Sequence, residues 1–503
     1  MLNFKRRKMK KIIKLFIGIF AVTALFTACE EEFLDTYPTD QVSSNAATLT
    51  TDNAFTALNG IHRALHVRYG SQGRGGLGAF MIHIDEAGED HVFNRSNWTH
   101  SYRWRPNSEP ENAYNRANWA MFYQWIANAN VLINGIENAS GDQEDKDAIL
   151  GQSLTYRAFC HFYLVQLYGD RYEQGGQNSQ LGIPIKLDGS TDPIARSTVE
   201  EVYAQINADL DQAISLLNGY SRPNKTHFNA NVAKGIKARV ALAQGNWSTA
   251  AQLAAEARSG FSLMDQETYA QGFQIFSASN DEFMWASQIQ EDQNDKWATY
   301  GAYISRNFSS SAIRGNPRSI NNLLYDMISP TDVRKTLWDP TGQHLNLPAG
   351  FSLLSNHKRF PYTNQKFIAV SSGDSRVDVP YMRAAEMYLI EAEAKARSNQ
   401  DASAAQVLFD LVSTRDDAYT LSANSGQALI EEIMVQRRIE LWGEGFRWYD
   451  LKRLNLPLDR TGSNQSSTYT NGIMQVPVGD NRWTWPIPQD EMDSNPLMEP
   501  NPI

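Results

Sequence analysis

The chain has 503 residues, of which 42% are hydrophobic and 20% charged, with a formal net charge of −10. That is enough apolar material for one large or two ordinary domains, and it excludes a disordered chain. The acidic balance excludes nucleic acid, and an anionic lipid face, as partners, because either needs a basic surface.

Lys5, Arg6, Arg7, Lys8, Lys10, Lys11 and Lys14 precede an apolar run at 15–26, the pattern of a secretory signal peptide, here 1–28. The run is too short to span a bilayer, which takes about twenty residues. Its end, Leu25-Phe26-Thr27-Ala28-Cys29, resembles the bacterial lipobox, whose cysteine is acylated and becomes the mature N-terminus. Membrane retention is therefore expected from lipid on Cys29, at about 0.8 kcal/mol per buried methylene. With Cys29 lipidated, Cys160 has no partner and a disulfide framework is excluded. Cys160, inside an apolar run at 159–165, reads as a small core residue. Residues 29–50 read as anchor and tether.

From Thr51, apolar residues recur at Ala54, Leu58, Ile61 and Leu65, a spacing that predicts an amphipathic helix. A Gly-rich interruption at 70–78 opens an irregular region through Pro110. Helical spacing returns at Trp119, Phe122, Tyr123, Ile126, Asn130 and Ile133, followed by helices predicted over 147–168, 198–217, 232–244 and 249–259. Ala238 and Ala241, a turn at Gly245, then Ala250, Ala254 and Ala257 place small residues where two antiparallel helices must approach closely. The unit resembles a tetratricopeptide repeat, with a weaker copy at 388–397 and 402–414. The stretch 271–367 has little helical period and reads as a loop-rich insertion. The expected fold is mainly α: a tetratricopeptide-like helical-repeat scaffold with long loop-rich insertions. It forms a single domain over 51–503, the repeat part at 51–270 and the insertion and C-terminal part at 271–503.

His83, Asp85, Glu86, Glu89, Asp90 and His91 crowd four carboxylates and two imidazoles into one short segment. Such a cluster can supply a glycosidase acid pair or metal ligands, but the spacing matches no metal motif, and a solvated or loop-ordering segment is the simpler reading. Residues 73–78 lack the preceding strand and the Gly-Lys-Ser/Thr of a phosphate loop. Asp292, Asn294 and Asp295 lack the Gly and Glu of a calcium loop, and neither a Gly-x-Ser-x-Gly elbow nor a Cys-x-x-Cys pair occurs. No catalyst, metal or cofactor is nominated. Over 431–453, Arg437 with Glu440, Glu444 with Arg447 and Asp450 with Arg453 are three apart and read as an ion-pair lattice around a turn at Gly443 and Gly445.

Four stretches resemble the SusD/RagB outer-membrane lipoproteins of Bacteroidota. They are Cys29-Glu30-Glu31-Glu32-Phe33-Leu34-Asp35 with Pro38; Arg157-Ala158-Phe159 through Leu167-Tyr168-Gly169-Asp170 with Gly182-Ile183-Pro184; the Arg437-to-Arg453 run; and the tail Trp485-Pro486-Ile487-Pro488, Glu491, Asn495-Pro496 and Asn501-Pro502. The resemblance implies a helical scaffold that packs against a SusC-like TonB-dependent transporter, an outer-membrane location facing the cell surface through the lipid anchor, and a ligand face built from inserted loops.

A sugar ring has an apolar C–H face and a hydroxyl rim, so its site pairs exposed aromatic planes with polar side chains. Twelve Trp and twenty-one Tyr exceed what a plain core requires, and many lie in polar stretches. Asp85, Asp90, Asn94, Trp98, Tyr102 and Trp104 supply both kinds near the Gly-rich turn, and the insertion adds Trp297, Tyr300 and Tyr303. In the resembled family this early irregular region commonly contributes an aromatic platform. Trp119, Trp125 and Trp247 keep helical register and read as core. The expected function is non-enzymatic capture of an oligo- or polysaccharide and its delivery to the transporter. The alternatives are a peptide-binding member of the same family, a surface glycosidase using Asp85 and Asp90, and a protein-binding scaffold.

Overall fold

The computed structural model describes residues 44–503 apart from 72, 275–276 and 345–346. The signal segment 1–28, Cys29 and most of the tether lie outside the described residues. The chain divides into two units, 1–47 and 48–503, and the account below concerns the second.

Helix α1 (Thr51–Ala64) starts where the Thr50 side chain accepts the N–H of Asn53, and it buries Ala54, Leu58 and Ile61 as the spacing predicts. After α2 (Gly76–Ala87) comes a run of long helices: α3 (Ala113–Gly135), α4 (Gln143–Tyr168), α5 (Val199–Leu216), α6 (Ala230–Gln244) and α7 (Trp247–Ala257). It resumes with α8 (Ala384–Arg397), α9 (Asp401–Val412), α10 (Gly426–Glu440) and α11 (Arg447–Arg453). From α3 to α10 each helix packs on the next, as in a tetratricopeptide stack. Gly245 ends α6 in the left-handed region, at φ 72°. Asn246 then caps α7, and Ala250, Ala254 and Ala257 are buried where α7 meets its neighbours. Among the described residues no helix is long and apolar enough to cross a membrane.

Helices α7 and α8 are neighbours in space although 258–383 separates them, so the insertion is wider than the expected 271–367. Its base is closed by an antiparallel ribbon of β2 (Phe283–Ser287) and β6 (Val379–Arg383), and β6 runs directly into α8. A four-stranded sheet of two-residue strands ties the segment after α2 to the insertion, in the order β1 (His91–Val92), β3 (Ser319–Ile320), β5 (Thr363–Asn364) and β4 (Trp338–Asp339). Within 431–453 the chain turns at Gly443 and Gly445, as expected, with φ at 84° and 86° between α10 and α11.

Helix α2 replaces what the sequence reading takes as loop. All twelve of its residues are buried, so no polar face marks its period, and its glycines serve close approach. A Cβ on Gly75 or Gly76 would lie 1.7 Å from the Ala298 carbonyl oxygen or 2.2 Å from that of Leu65.

Candidate functional site

The acidic segment is structural. Asp85, near the end of α2, accepts the N–H groups of Gly445 (2.8 Å), Phe446 (2.9 Å) and Arg447 (3.1 Å), which are the unsatisfied donors at the start of α11. Burial pushes its carboxyl up to about 7, against those three bonds. Glu86 pairs with Arg318 at 2.8 Å, Asp90 with Arg438 at 2.5 Å, and Glu89 with Arg447. The crevice that Asp85 and Asp90 share with Arg437, Arg438 and Trp442 holds about 10 Å³, room for about one water and none for a sugar ring. This corrects both the ligand-binding and the glycosidase reading of Asp85 and Asp90.

A second buried lattice replaces two of the three ion pairs expected at spacing three. Asp450 does meet Arg453 at 2.8 Å. Arg437 instead pairs with Asp450, because Glu440, three residues on in the same helix, is taken by guanidiniums of other elements, and Glu444 pairs with Arg383 and Lys366, because it lies in the turn outside both helices. Glu440 receives Arg334, Arg383 and Arg415 together. Arg guanidinium forks suit this many-partner geometry, and the lattice fastens the insertion to the α10–α11 turn.

Most of the expected aromatic platform is also buried. Tyr102 is 0% exposed, stacked on Phe93 at 4.6 Å between centroids and covered by Arg460 at 4.4 Å. Trp104 is fully buried, its indole N–H donating to the Ala87 carbonyl at 2.7 Å. Tyr300 is buried with its hydroxyl on the Gly443 carbonyl at 2.7 Å. Asn94 spends its amide on Pro317 and Ser319. These four pin loops to the scaffold, because a polar loop crossing a core must satisfy its backbone with side-chain partners, and they are corrected out of the exposed ligand face. Trp119 and Trp125 are buried in α3 as expected, while Trp247 is half-buried with the Arg397 guanidinium over its ring.

Trp98 and Trp297 remain. Trp297 is 48% exposed, and Trp98 is half-buried in a turn. The structure brings them together through Tyr303, whose ring meets Trp98 edge-on at 6.4 Å and whose hydroxyl donates to the Trp297 carbonyl at 3.3 Å while accepting the Gly73 N–H. Trp98 holds φ at 60°, a left-handed conformation that costs a bulky side chain about 1–3 kcal/mol and persists where surroundings enforce it. Gly73 is part of the enforcement. A Cβ there would stand 2.7 Å from the Tyr114 hydroxyl and 3.4 Å from the Trp98 ring. Beyond Tyr114 the surface opens into a cleft of about 560 Å³ lined by Ser71, Arg74, His100, Arg105, Glu109 and Asn112. There Arg105 and Glu109 pair at 2.8 Å while both stay exposed.

The arrangement therefore offers two partly exposed tryptophans tied to Tyr303 and, beyond Tyr114, a cleft with the guanidiniums of Arg74 and Arg105, the carboxylates of Glu109 and Glu111 and the imidazole of His100. Arg74, His100, Glu109 and Tyr114 were not singled out from the sequence. Their signal was the Gly-rich interruption at 70–78 that carries Arg74, which the sequence reading weighs only as a phosphate loop. Among the described residues no group of three or more His, Cys, Asp or Glu side chains is placed to hold a metal ion.

Comparison with known proteins gives a consistent answer. A family model described as starch-binding associating with outer membrane matches 71–242, and the SusD family model matches 296–503. SusD-like protein P25 of Formosa agariphila is 23% identical over 74% of this chain and 76% of its own. The crystal structure of a SusD-like carbohydrate binding protein from Bacteroides vulgatus superimposes with a TM-score of 0.78 at 25% identity, covering 89% of this chain and 97% of that one. A laminarin binding SusD-like protein shares the fold, with a TM-score of 0.68 at 19% identity over 90% and 99% of the two chains. The helical stack, the insertion between α7 and α8 and both family matches lead to one conclusion: the chain belongs to the SusD family, a carbohydrate-binding family.

Proposed function

We propose that this protein captures an oligo- or polysaccharide at the cell surface and hands it to a TonB-dependent transporter, without turning it over. The observation that carries this reading is the Trp98–Tyr303–Trp297 arrangement. Trp98 and Trp297, from segments far apart in sequence, are both tied to Tyr303, Trp98 by its ring and Trp297 through its backbone carbonyl, and Gly73, which bonds the same hydroxyl, stands by Tyr114 at the edge of a polar cleft that contains Arg74, Arg105 and Glu109. Stacked rings contribute affinity through C–H faces, and the polar groups fix which hydroxyls are accepted. The family match and the laminarin-binding relative support a glycan as the ligand class. Release follows when the transporter engages.

In this reading the signal at 1–28 directs export and is removed, and lipid on Cys29 anchors the protein to the outer membrane, with the helical stack toward the transporter and the insertion toward ligand. The proposed reading excludes the glycosidase alternative on the ground that Asp85 and Asp90 are committed to backbone donors and guanidiniums. The test is calorimetric titration of glycans against the protein and its Trp98→Ala and Trp297→Ala variants, with chromatography of the glycan afterwards. Weakened binding in the variants and an intact glycan support the proposal. Cleavage products, or unaltered affinity in both variants, overturn it.

A further inference from the structure

Away from the tryptophan face, α1, the 220–228 loop and the edge of β2 enclose an open cleft of about 1010 Å³. On a chain of net charge −10, its charge is of the opposite sign. His62, Arg63 and His66 enter from α1, and Arg222, Lys225 and His227 from the loop, while no Asp or Glu is among the described residues that line it. Among the described residues no carboxylate forms an ion pair or hydrogen bond with these cations. Arg222 donates to the His227 carbonyl and Lys225 to that of Asn280, neither bond involving a carboxylate. Outside the lining, Asp281 acts on Lys225 and Asp145 on Tyr220.

The imidazoles give a second, independent indication. His62 is 5% and His227 6% exposed, and their rings lie 4.1 Å apart. His62 Nδ1 is bonded to the Tyr156 hydroxyl and its ring also interacts with the Gln152 side chain, yet His227 Nδ1 and both nitrogens of His66 have no hydrogen-bond partner. Buried polar atoms without partners are costly and are uncommon in folded proteins. Grouped beside cations that no carboxylate pairs, these nitrogens become donors once their rings take up a proton. Half-buried Phe55 and Tyr220 also line the cleft, and Asn59 and Asn224 add amides.

We propose that this cleft is a second ligand site, one that takes an anionic saccharide through its carboxylate or sulfate group. Guanidinium, ammonium and protonated imidazole are the donors that bind such oxyanions best, and the rings that line the cleft suit the sugar that carries the charge. The saccharide part of the proposal rests on the function proposed above, but the anion part does not. Burial and the neighbouring Arg63 and Arg222 hold His66 and His227 down to about 4. A bound anion favours their protonated forms, so binding takes up protons and tightens as pH falls.

The test is calorimetric titration of the full chain in detergent with oligogalacturonate, a heparin-derived tetrasaccharide and uncharged maltotetraose, at pH 5.5 and 7.5. The variants are Arg63→Gln, His66→Gln and Trp98→Ala/Trp297→Ala, each checked by thermal melting. At least one charged saccharide should bind, more tightly at pH 5.5 and less tightly at high salt. Arg63→Gln and His66→Gln should each weaken it about tenfold, and the double tryptophan variant should keep it. Binding of the uronate alone or the sulfate ester alone supports the site and identifies the anion. The proposal is overturned by charged saccharides that do not bind or bind no better than maltotetraose, by unchanged affinity in both α1 variants, or by loss of the charged ligand in the tryptophan variant. That last result would assign the anion to the aromatic face instead.

Discussion

The Arg383 guanidinium lies 2.8 Å from the Glu440 carboxylate with both side chains fully buried, which joins the last residue of β6 to the last residue of α10. Arg383 also reaches Glu282 and Glu444, and Glu440 also receives Arg334 and Arg415. The lattice holds the insertion on its scaffold where it re-enters the helical stack, which the proposed ligand face requires.

Glu440→Gln leaves three buried guanidiniums short of one negative charge. Breaking a buried pair from one side costs about 3–5 kcal/mol, so denaturant unfolding should show a loss of that size. A loss under about 1 kcal/mol would mean that the lattice contributes little to stability.

Gly445 binds the same turn to α2. Its φ is 86°, and an added Cβ would lie 2.8 Å from Met81 Cβ and 2.9 Å from Met81 Cα. The clash involves backbone, so the neighbour cannot swing away. Gly445→Ala should destabilise by more than about 1 kcal/mol and weaken the Asp85 cap. Gly472→Ala, where the φ is 83° but nothing stands within 4 Å, should cost only the conformational part. Equal melting temperatures for the two variants would contradict the packing argument.

Asp450 makes acid stability specific. Burial works against its charge, but the Arg437 and Arg453 guanidiniums prevail and hold the carboxyl down to about 2. A depressed carboxyl contributes stability above its unfolded value near 3.8, and that contribution is lost as pH falls from about 4 to about 2. It amounts to about 2–3 kcal/mol. Asp450→Asn should be less stable at neutral pH and should flatten the acid limb of a stability–pH curve. A curve parallel to the wild type across that window would remove Asp450 from the account.

The helical stack was legible because its apolar stripes and alanine crossings are local patterns. Ala54, Leu58 and Ile61 in α1, and Ala250, Ala254 and Ala257 in α7, are buried as their spacing demands. Helix α2 was not, since a helix buried on every side carries no polar face to set its period. Glu444 found partners far away because spacing-three rules hold only within an unbroken helix, and Arg437 did because three guanidiniums from elsewhere in the chain claim Glu440. Tyr102, Trp104 and Tyr300 misled for a related reason. A polar neighbourhood in sequence locates a loop but not which of its rings turns inward, and that choice was made by the Ala87 and Gly443 carbonyls and the Arg460 guanidinium.

Trp104 and Trp297 should accordingly behave as opposites. Trp104→Ala empties a fully buried site and should cost about 3–5 kcal/mol of stability. Trp297→Ala removes a half-exposed ring and should leave the melting temperature nearly unchanged. Thermal melts of the two single variants check this directly, and early melting of Trp297→Ala would make that ring another loop staple.

The most direct test of the central claim is calorimetric titration of the glycan that binds best on an array, comparing the wild type with Trp98→Ala/Trp297→Ala. The account predicts binding to the wild type, a loss of at least tenfold in the double variant, in line with about 1–3 kcal/mol per stacking anchor, and a glycan recovered intact. A wild type that binds no glycan, or a double variant that is well folded and binds as tightly, would contradict it.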